Sequence, residues 1–339
     1  MHGKVLVTGA SGLVGGNLVR SLLAQGREVR TLVHTDRQAL HGLDVETVSG
    51  DIRNPETLER AMLGVEVVYH LAGSISLSMD SWADVEAVNR LGTQHVVTAC
   101  LQSGVRRLVY FSSISALRQE PFDQPVDENR PLVDESQSVN MVNAIPPYDR
   151  SKAQAEREVL AGIARGLDAV ILQPTAMLGP YDFKPSYLGQ ALILLARGRI
   201  PALVQGGFDW VDVRDVAAGA LQAEQTAPRG SRYLLGGSWY SLRKVAALVA
   251  SEVGRAAPLF AVPIWLADTF APLMLLLARF NGSAPIYTQV TLRALRGNPQ
   301  VSHARAARDL GYVPRPLAET VHDALAWFSD HGYLAGSRS

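Results

Sequence analysis

Two apolar patterns alternate through the first half of the chain. Short runs rich in β-branched and aliphatic residues, "KVLVTG", "EVRTLV", "VEVVYHLAG", "RRLVYFSS" and "LDAVILQP", read as strands. Between them, "LVGGNLVRSLLAQG", "PETLERAMLG" and "DVEAVNRLGTQHVVTACLQSG" repeat apolar positions every three or four residues, the pattern of helices with one buried face. Strands that alternate with helices pair in parallel through right-handed crossovers. The pattern therefore predicts an α/β fold on a Rossmann-type, doubly wound parallel sheet.

From Pro174 onward the alternation lapses. "YLGQALILLARGR" reads as a helix, "FDWVDVRDVAAGALQA" as a strand running into a helix, and "SRYLLGG" as a further strand; the remainder is mainly helical. We expect residues 1–173 and about 208–237 to form the Rossmann domain. Residues from about 174–207 and 238–332 would then form a smaller, mostly helical substrate-binding domain. The connection from about Leu117 to Pro147 carries five prolines and an acidic surplus, and its length suits a functional lid or an excursion from the fold.

The apolar stretch "VPIWLADTFAPLMLLLARF", residues 262–280, raises the question of a membrane. Asp268, Arg279, Pro263 and Pro272 interrupt it and suit a spanning helix poorly. A helix pair lining something apolar is expected, with membrane contact at most peripheral.

Composition narrows the class. With 47% hydrophobic and 19% charged residues, the 339-residue chain is globular, and 32 basic residues balance 32 acidic ones. No overall field draws it to nucleic acid, so no such partner is expected. The single cysteine, Cys100, excludes an internal disulfide and suits a reducing compartment, here expected to be the cytoplasm. No leader is expected ahead of the first strand, which starts at residue 4, and no metal is expected.

"VLVTGASGLVGGNLV" places Gly9, Gly12 and Gly15 between a strand and a helix. Glycines there permit a tight turn, close approach of a pyrophosphate to backbone N–H groups, and tight packing of helix on strand. The three-and-three spacing, with Thr8 ahead of it, resembles the extended short-chain dehydrogenase/reductase superfamily. "GDIRN", "YHLAGS", "VNRLGT", "LQPTAMLGP" and "DWVDVRDVA" resemble later motifs of that superfamily in the same order. The likeness spans about residues 3–330 and is nearest to dihydroflavonol-reductase-like members, including proteins described as hopanoid-associated sugar epimerases.

The resemblance implies a nicotinamide cofactor. Thr8, Gly9, Ser11, Gly12, Leu13, Val14 and Gly15 would hold its pyrophosphate, and Asp51 and Ile52 its adenine. Leu71, Ala72, Gly73 and Asn89 would pass its ribose, while Pro174 and Thr175 would face the nicotinamide. An NAD enzyme usually ends its second strand on a carboxylate that binds the ribose hydroxyls. Here Val33 stands at that position, followed by His34, Thr35, Asp36 and Arg37. The missing carboxylate and Arg37 favour NADP(H) over NAD(H), with Asp36 counting against.

The chemistry centres on "PPYDRSKAQAE". Tyr148 and Lys152 lie four apart, on one face of a predicted helix. A phenol, with a pKa of about 10, ionises too little near neutrality to exchange protons well. An adjacent ammonium and a cationic nicotinamide favour the phenolate. "WYSLRKVAAL" repeats the spacing with Tyr240 and Lys244, but no serine-bearing strand end precedes it. The chain holds 28 arginines and four lysines, so a lysine at 152 is a selective choice, and its compact ammonium suits a phenol and a ribose diol. The superfamily adds a serine after the fifth strand. Ser113 is expected to orient the substrate oxygen, and Ser112, pointing the other way, to be structural.

These readings lead to an NAD(P)-dependent oxidoreductase acting on a ketone or secondary alcohol of an apolar small molecule. In it Tyr148 is the general acid/base, Lys152 lowers its pKa and Ser113 orients the oxygen. Phenolic, steroid-like and terpenoid compounds are the candidate substrates. One alternative is an NAD-dependent sugar-nucleotide epimerase or dehydratase, for which Arg293, Arg296 and Arg305 are available to a diphosphate. Another is a non-catalytic cofactor sensor, against which the intact Ser113, Tyr148 and Lys152 argue. The resemblance also implies a homodimer through "QHVVTACL" and "AQAEREVLAGIA".

Overall fold

The computed structural model describes residues 3–79, 81–134, 145–200, 202–269 and 287–335. In chain order the strands are β1 (Lys4–Thr8), β2 (Val29–Val33), β3 (Glu46–Ser49), β4 (Val65–His70), β5 (Arg107–Phe111), β6 (Ala169–Pro174), β7 (Ala176–Leu178), β8 (Leu203–Val204), β9 (Gly207–Asp212), β10 (Arg232–Leu235), β11 (Ser238–Ser241) and β12 (Ala261–Val262). Seven of them form one sheet in the order β3-β2-β1-β4-β5-β6-β10, and every neighbouring pair is parallel. The order turns back at β1, which lies between β2 and β4, so a crevice opens beyond the carboxyl ends of these strands.

Why these runs are strands is visible in where their side chains go. Side chains of neighbouring strand residues point to opposite faces. Val5, Val7, Val109, Phe111, Val170 and Leu172 face one core, whereas Leu6, Leu108, Tyr110, Ala169 and Ile171 face the other. Helices α1 (Leu13–Ala24) and α7 (Val213–Thr226) cover the first face. Helices α2 (Pro55–Met62), α4 (Gly92–Gln102) and α5 (Pro147–Ala164) cover the second; the short α3 (Trp82–Val85) precedes α4, and α6 (Tyr187–Ala196) packs in the smaller layer. Leu6, Leu108 and Ile171 are fully buried, and each such side chain contributes about 1.5–3 kcal/mol by leaving water. Continuous apolar runs, rather than strict alternation, are what a sheet covered on both faces requires.

β3 is absent from the sequence pattern. It is an edge strand whose residues are mostly exposed, so it has little apolar content to announce it. Its place is marked instead by Glu46, which binds Lys4 and Arg30 at 2.9 Å each.

The second half builds a smaller layer. β7 and β11 flank β9, and β8 pairs with β12. Thus β9, the strand that opens "FDWVDVRDVAAGALQA", joins the small sheet, while α7 and β10 complete the large one. The helix Ala304–Leu310 also returns to the large layer, placing Ala306, Leu310 and Tyr312 in its core.

Residues 117–134 of the long connection are latched to the fold. Leu117 pairs with Leu132 and Val126 with Val301. Arg130 donates to the carbonyls of Glu120, Pro121, Gln124 and Pro125, and Asn298 Nδ2 donates to those of Gln119 and Gln124 at 3.1 and 2.8 Å. Residues 135–144 of the connection, expected as a lid or an excursion, lie outside the described residues. Within the 262–280 stretch, Ile264 and Ala267 pack against Val204, Leu292 and Leu295, while Trp265 stays exposed. The part beyond residue 269 lies outside the described residues. Among the described residues no helix is long and apolar enough to cross a membrane.

Candidate active site

The glycine loop connects β1 to α1. Gly9 has a left-handed φ of 71°, and a Cβ there would stand 2.6 Å from the Ala72 nitrogen. A Cβ on Gly15 would stand 2.2 Å from the Gly9 carbonyl oxygen, so helix and loop touch backbone to backbone. Gly12 differs. Its Cβ would meet only the Gly9 oxygen, at 3.5 Å, and as the N-cap of α1 it supplies no side chain to the first N–H groups. An exposed cradle of unsatisfied N–H groups at a helix N-terminus fits a pyrophosphate. Ser11, Leu13 and Val14 line the same turn, half-buried, with Val14 packed on the core.

Opposite the loop, the end of β4 is fixed by hydroxyls. The Leu71 N–H donates to the Thr8 carbonyl at 3.2 Å, and that of Ala72 to Thr8 Oγ1 at 3.3 Å. His70 bridges Thr8 and Thr93 at 2.8 and 3.0 Å. Burial, with the Lys152 charge adding to it, drives this imidazole down to about 3. Asn89 then couples two elements. Its side chain holds both backbone groups of Ser74, beyond Gly73, and donates to Ser151 Oγ at 2.8 Å. Ser151 in turn donates to the Tyr148 carbonyl at 2.7 Å. The ribose-side strand end is thereby tied to the first turn of α5.

Ser113, Tyr148 and Lys152 meet at the crevice. The Ser113 hydroxyl acts to draw the Tyr148 phenol down and caps the following turn by accepting from the Ser115 N–H at 3.1 Å. Lys152, buried, donates to the Phe111 carbonyl at 2.7 Å. Ser112 points the other way and donates to Glu156 Oε2 at 2.5 Å, as neighbours at a strand end should. Tyr240 and Lys244 do not share a helix. Tyr240 lies in β11, its carbonyl accepting from Trp210 Nε1 at 2.9 Å, and Lys244 is an exposed residue of α8 (Leu242–Val253).

Electrostatics at this constellation depart from expectation in one respect. Burial pushes the Tyr148 phenol up to about 12; Ser113 acts to lower it and the Asp149 charge to raise it. The effect expected of Lys152 is not among these influences, since its ammonium points to the Phe111 carbonyl. Burial lowers Lys152 to about 8, with Glu156 acting against that. Burial pushes Asp149 up to about 7, with Arg293 and Ser115 acting to lower it.

At the adenine end, Asp51 is clamped by Arg53 at 2.6 and 2.9 Å and lies 3.4 Å from His34. The Arg53 hydrogen bonds hold its carboxyl below the usual range. Arg37 donates to Ser49 Oγ at 2.6 Å, and Ile52 is buried in the core. On the opposite side, Pro174 ends β6, and buried Thr175 donates its N–H to the Leu235 carbonyl at 3.3 Å. The following segment "GPYDFKPS" is pinned to α1. Asn17 Nδ2 donates to the Pro180 carbonyl at 2.9 Å, and the Arg20 guanidinium sits 4.3 Å from the Tyr181 ring centre. Lys184 in this segment is exposed.

Sequence reasoning missed several residues of the site: His70, Thr93, Ser151, Glu156 and Gln173. Ser151 and Glu156 had a signal, because both lie in "YDRSKAQAE" and Glu156 continues the four-residue step from Tyr148 to Lys152. The others are brought in by strands and helices distant in sequence.

Comparison with known proteins agrees with this geometry. Residues 5–236 match the model of the NAD dependent epimerase/dehydratase family. The chain is similar to sterol demethylase protein B of Methylococcus capsulatus, with 35% identity over 97% of this chain and 99% of that protein. It is also similar to the putative dihydroflavonol 4-reductase of Synechocystis sp., with 34% identity over 97% of this chain and 95% of that protein. The crystal structure of gox2253 superposes with a TM-score of 0.83 at 35% identity, covering 97% of this chain and 99% of that one. A glycine cradle at a helix N-terminus, a seven-stranded parallel sheet and a match of this extent place the chain in the NAD dependent epimerase/dehydratase family, the extended short-chain dehydrogenases/reductases.

Proposed function

We propose that the chain is an oxidoreductase that transfers hydride between a nicotinamide cofactor and a ketone or secondary alcohol of an apolar small molecule. The observation that carries this reading is the gathering of Ser113, which directly follows β5, of Lys152, bonded to the last carbonyl of β5, and of Tyr148 on the same helix as Lys152, with Ser113 acting on the phenol. When bound, the dinucleotide supplies the hydride acceptor or donor. Gly9, Ser11, Gly12, Leu13 and Val14 would hold its pyrophosphate, with buried Thr8 and Gly15 shaping the turn; Leu71, Ala72 and Gly73, fixed by Asn89, would pass its ribose, and Pro174 and Thr175 would face its nicotinamide.

The chain's own groups manage the proton. Tyr148 gives its proton to the carbonyl oxygen on reduction and takes it back on oxidation, while Ser113 orients that oxygen. With the phenol pushed up to about 12, Tyr148 rests as the acid. A nearby positive charge draws the phenol down towards the working range, whichever way hydride moves. Lys152 supplies a buried ammonium one turn along the same helix.

NADP(H) is proposed over NAD(H), because strand β2 ends on Val33 and Arg37 stands at the rim beside Ser49. Of the arginines a sugar diphosphate would draw on, Arg296 is paired with Asp268, and Arg305 donates to Asn129 at 3.0 Å and lies 3.8 Å from Glu128. This weighs against the sugar-nucleotide reading. The apolar substrate class draws support from the likeness to proteins named for sterols and dihydroflavonols. A homodimer and a cytoplasmic setting belong to the same proposal, with membrane contact at most peripheral.

The test is oxidation of NADPH against aromatic, steroid and sugar-nucleotide carbonyls. Turnover of apolar ketones is expected, and Tyr148→Phe should lower it at least about 100-fold with NADPH affinity retained. Undiminished turnover by Tyr148→Phe would overturn the assignment of the proton. Turnover of sugar nucleotides alone would overturn the substrate class.

A further inference from the structure

Glu156 is fully buried and has no part in the chemistry described so far. It lies two helical turns beyond Tyr148 and one beyond Lys152, so 148, 152 and 156 form a ladder on one face of α5. Donors converge on both of its oxygens. Ser112 Oγ donates to Oε2 at 2.5 Å, Gln173 Nε2 reaches both oxygens at 3.0 Å, and the Arg232 guanidinium stands 3.6 Å from Oε1. A buried carboxylate with this many partners is costly to place and is retained where its charge serves a neighbour.

Arg232 is its direct ion partner, and one helical turn back Lys152 shares the same buried face of α5. The end of β5 holds Lys152 and Glu156 at successive residues: the Phe111 carbonyl accepts from Lys152 Nζ at 2.7 Å, and Ser112 donates to Glu156. The other titratable groups facing the ammonium are neutral. Tyr110 of β5, its ring centre 5.0 Å from Nζ, is raised well above its ordinary range by burial. His70 of β4 is driven down to about 3, and Tyr148 on the same helix is held up at about 12. Burial alone disfavours the lysine's charge, and Glu156 acts in the opposite sense.

We propose that Glu156, ion-paired with Arg232, also supplies the buried negative charge that sustains the Lys152 ammonium one helical turn away, a positioning residue that ties α5, through Ser112, to the end of β5. The functional consequence rests on the reading of Tyr148 and Lys152 given above; the charge relation itself does not. Without Glu156 the amine is neutral over more of the working pH range, and the site loses the cation that would hold the ribose.

The chain has four lysines, so protein labelled with ¹³C at lysine Cε gives four signals, of which Lys152→Met assigns one. Titration of that signal reads Lys152 with neither cofactor nor substrate present. In Glu156→Gln the midpoint is expected to fall by about one pH unit or more, the effect of removing a close opposite charge. The alkaline limb of NADPH binding, followed by fluorescence, should move to lower pH with it. Glu156→Asp, which keeps the charge and retracts it by one methylene, is expected to fall part-way, and it serves if Glu156→Gln does not fold. An unmoved Lys152 midpoint in whichever variant folds, with only a lowered melting temperature, makes Glu156 a packing residue and overturns the proposal. Because this readout needs no turnover, its failure is distinct from that of the hydride-transfer reading, which Tyr148→Phe tests.

Discussion

Two glycines in one loop separate folding from binding. A methyl at Gly15 would overlap the Gly9 carbonyl, with 2.2 Å between Cβ and oxygen, and would stand 2.7 Å from Ala10 Cα. Neither neighbour is a flexible side chain, so α1 or the loop must move by close to an ångström. Such overpacking costs about 1–3 kcal/mol, against which the better helix propensity of alanine returns about 1 kcal/mol. Gly15→Ala is therefore expected to lower the melting temperature by up to about 5 °C in the absence of cofactor. At Gly12 the same methyl meets only the Gly9 oxygen, at 3.5 Å, and the backbone is extended, with φ −80° and ψ 170°. Gly12→Ala should cost stability less than about 1 kcal/mol, as a poorer N-cap. It fills the cradle, however, and NADPH affinity should drop about tenfold or more, a loss of about 1.4 kcal/mol. Thermal melts of the free protein and NADPH fluorescence titrations of both variants decide the matter. If Gly12→Ala binds NADPH as tightly as the parent, the dinucleotide does not sit on this loop. If Gly15→Ala melts at or above the parent, close backbone packing of α1 on the loop does not limit stability.

Two further expectations follow from charges at either end of the crevice. Arg37→Gln should weaken NADPH binding about tenfold while leaving NADH within about twofold, since a charged hydrogen bond to phosphate contributes about 1.5–3 kcal/mol; equal losses for both cofactors would exclude Arg37 from the choice between them. Asp149, pushed by burial from 3.8 to about 7, keeps a proton in the folded chain that the unfolded chain has already released. Its effect on stability is absent below the unfolded value and destabilising above the folded one, so stability declines between about pH 4 and pH 7. Asp149→Asn should consequently melt higher than the parent at pH 8, with the difference shrinking as pH falls to 4, and a constant difference across that range would refute the assignment.

Much of the fold was legible because a sheet covered on both faces requires long apolar runs, and β1, β4, β5 and β6 write them plainly. β3 was not legible, because an exposed edge strand needs few apolar side chains. The destination of β9 was hidden for another reason: nothing in "FDWVDV" distinguishes pairing with β7 and β11 from pairing with β6. The latching of residues 117–134 depended on Asn298 and Val301, far along the chain, meeting the carbonyls and backbone of the connection.

The candidate site divides along the same line. By itself the sequence determined the glycine turn, the helical step from Tyr148 to Lys152 and the serine pair at a strand end, because each is local, set by spacing within one element. The tertiary structure alone decided that Tyr240 and Lys244 fall on different elements, and that Lys152 points to Phe111 with Glu156 one turn beyond it. It also decided the direction of every perturbed titration, since burial and the charges across a crevice come from strands and helices that only the fold brings together.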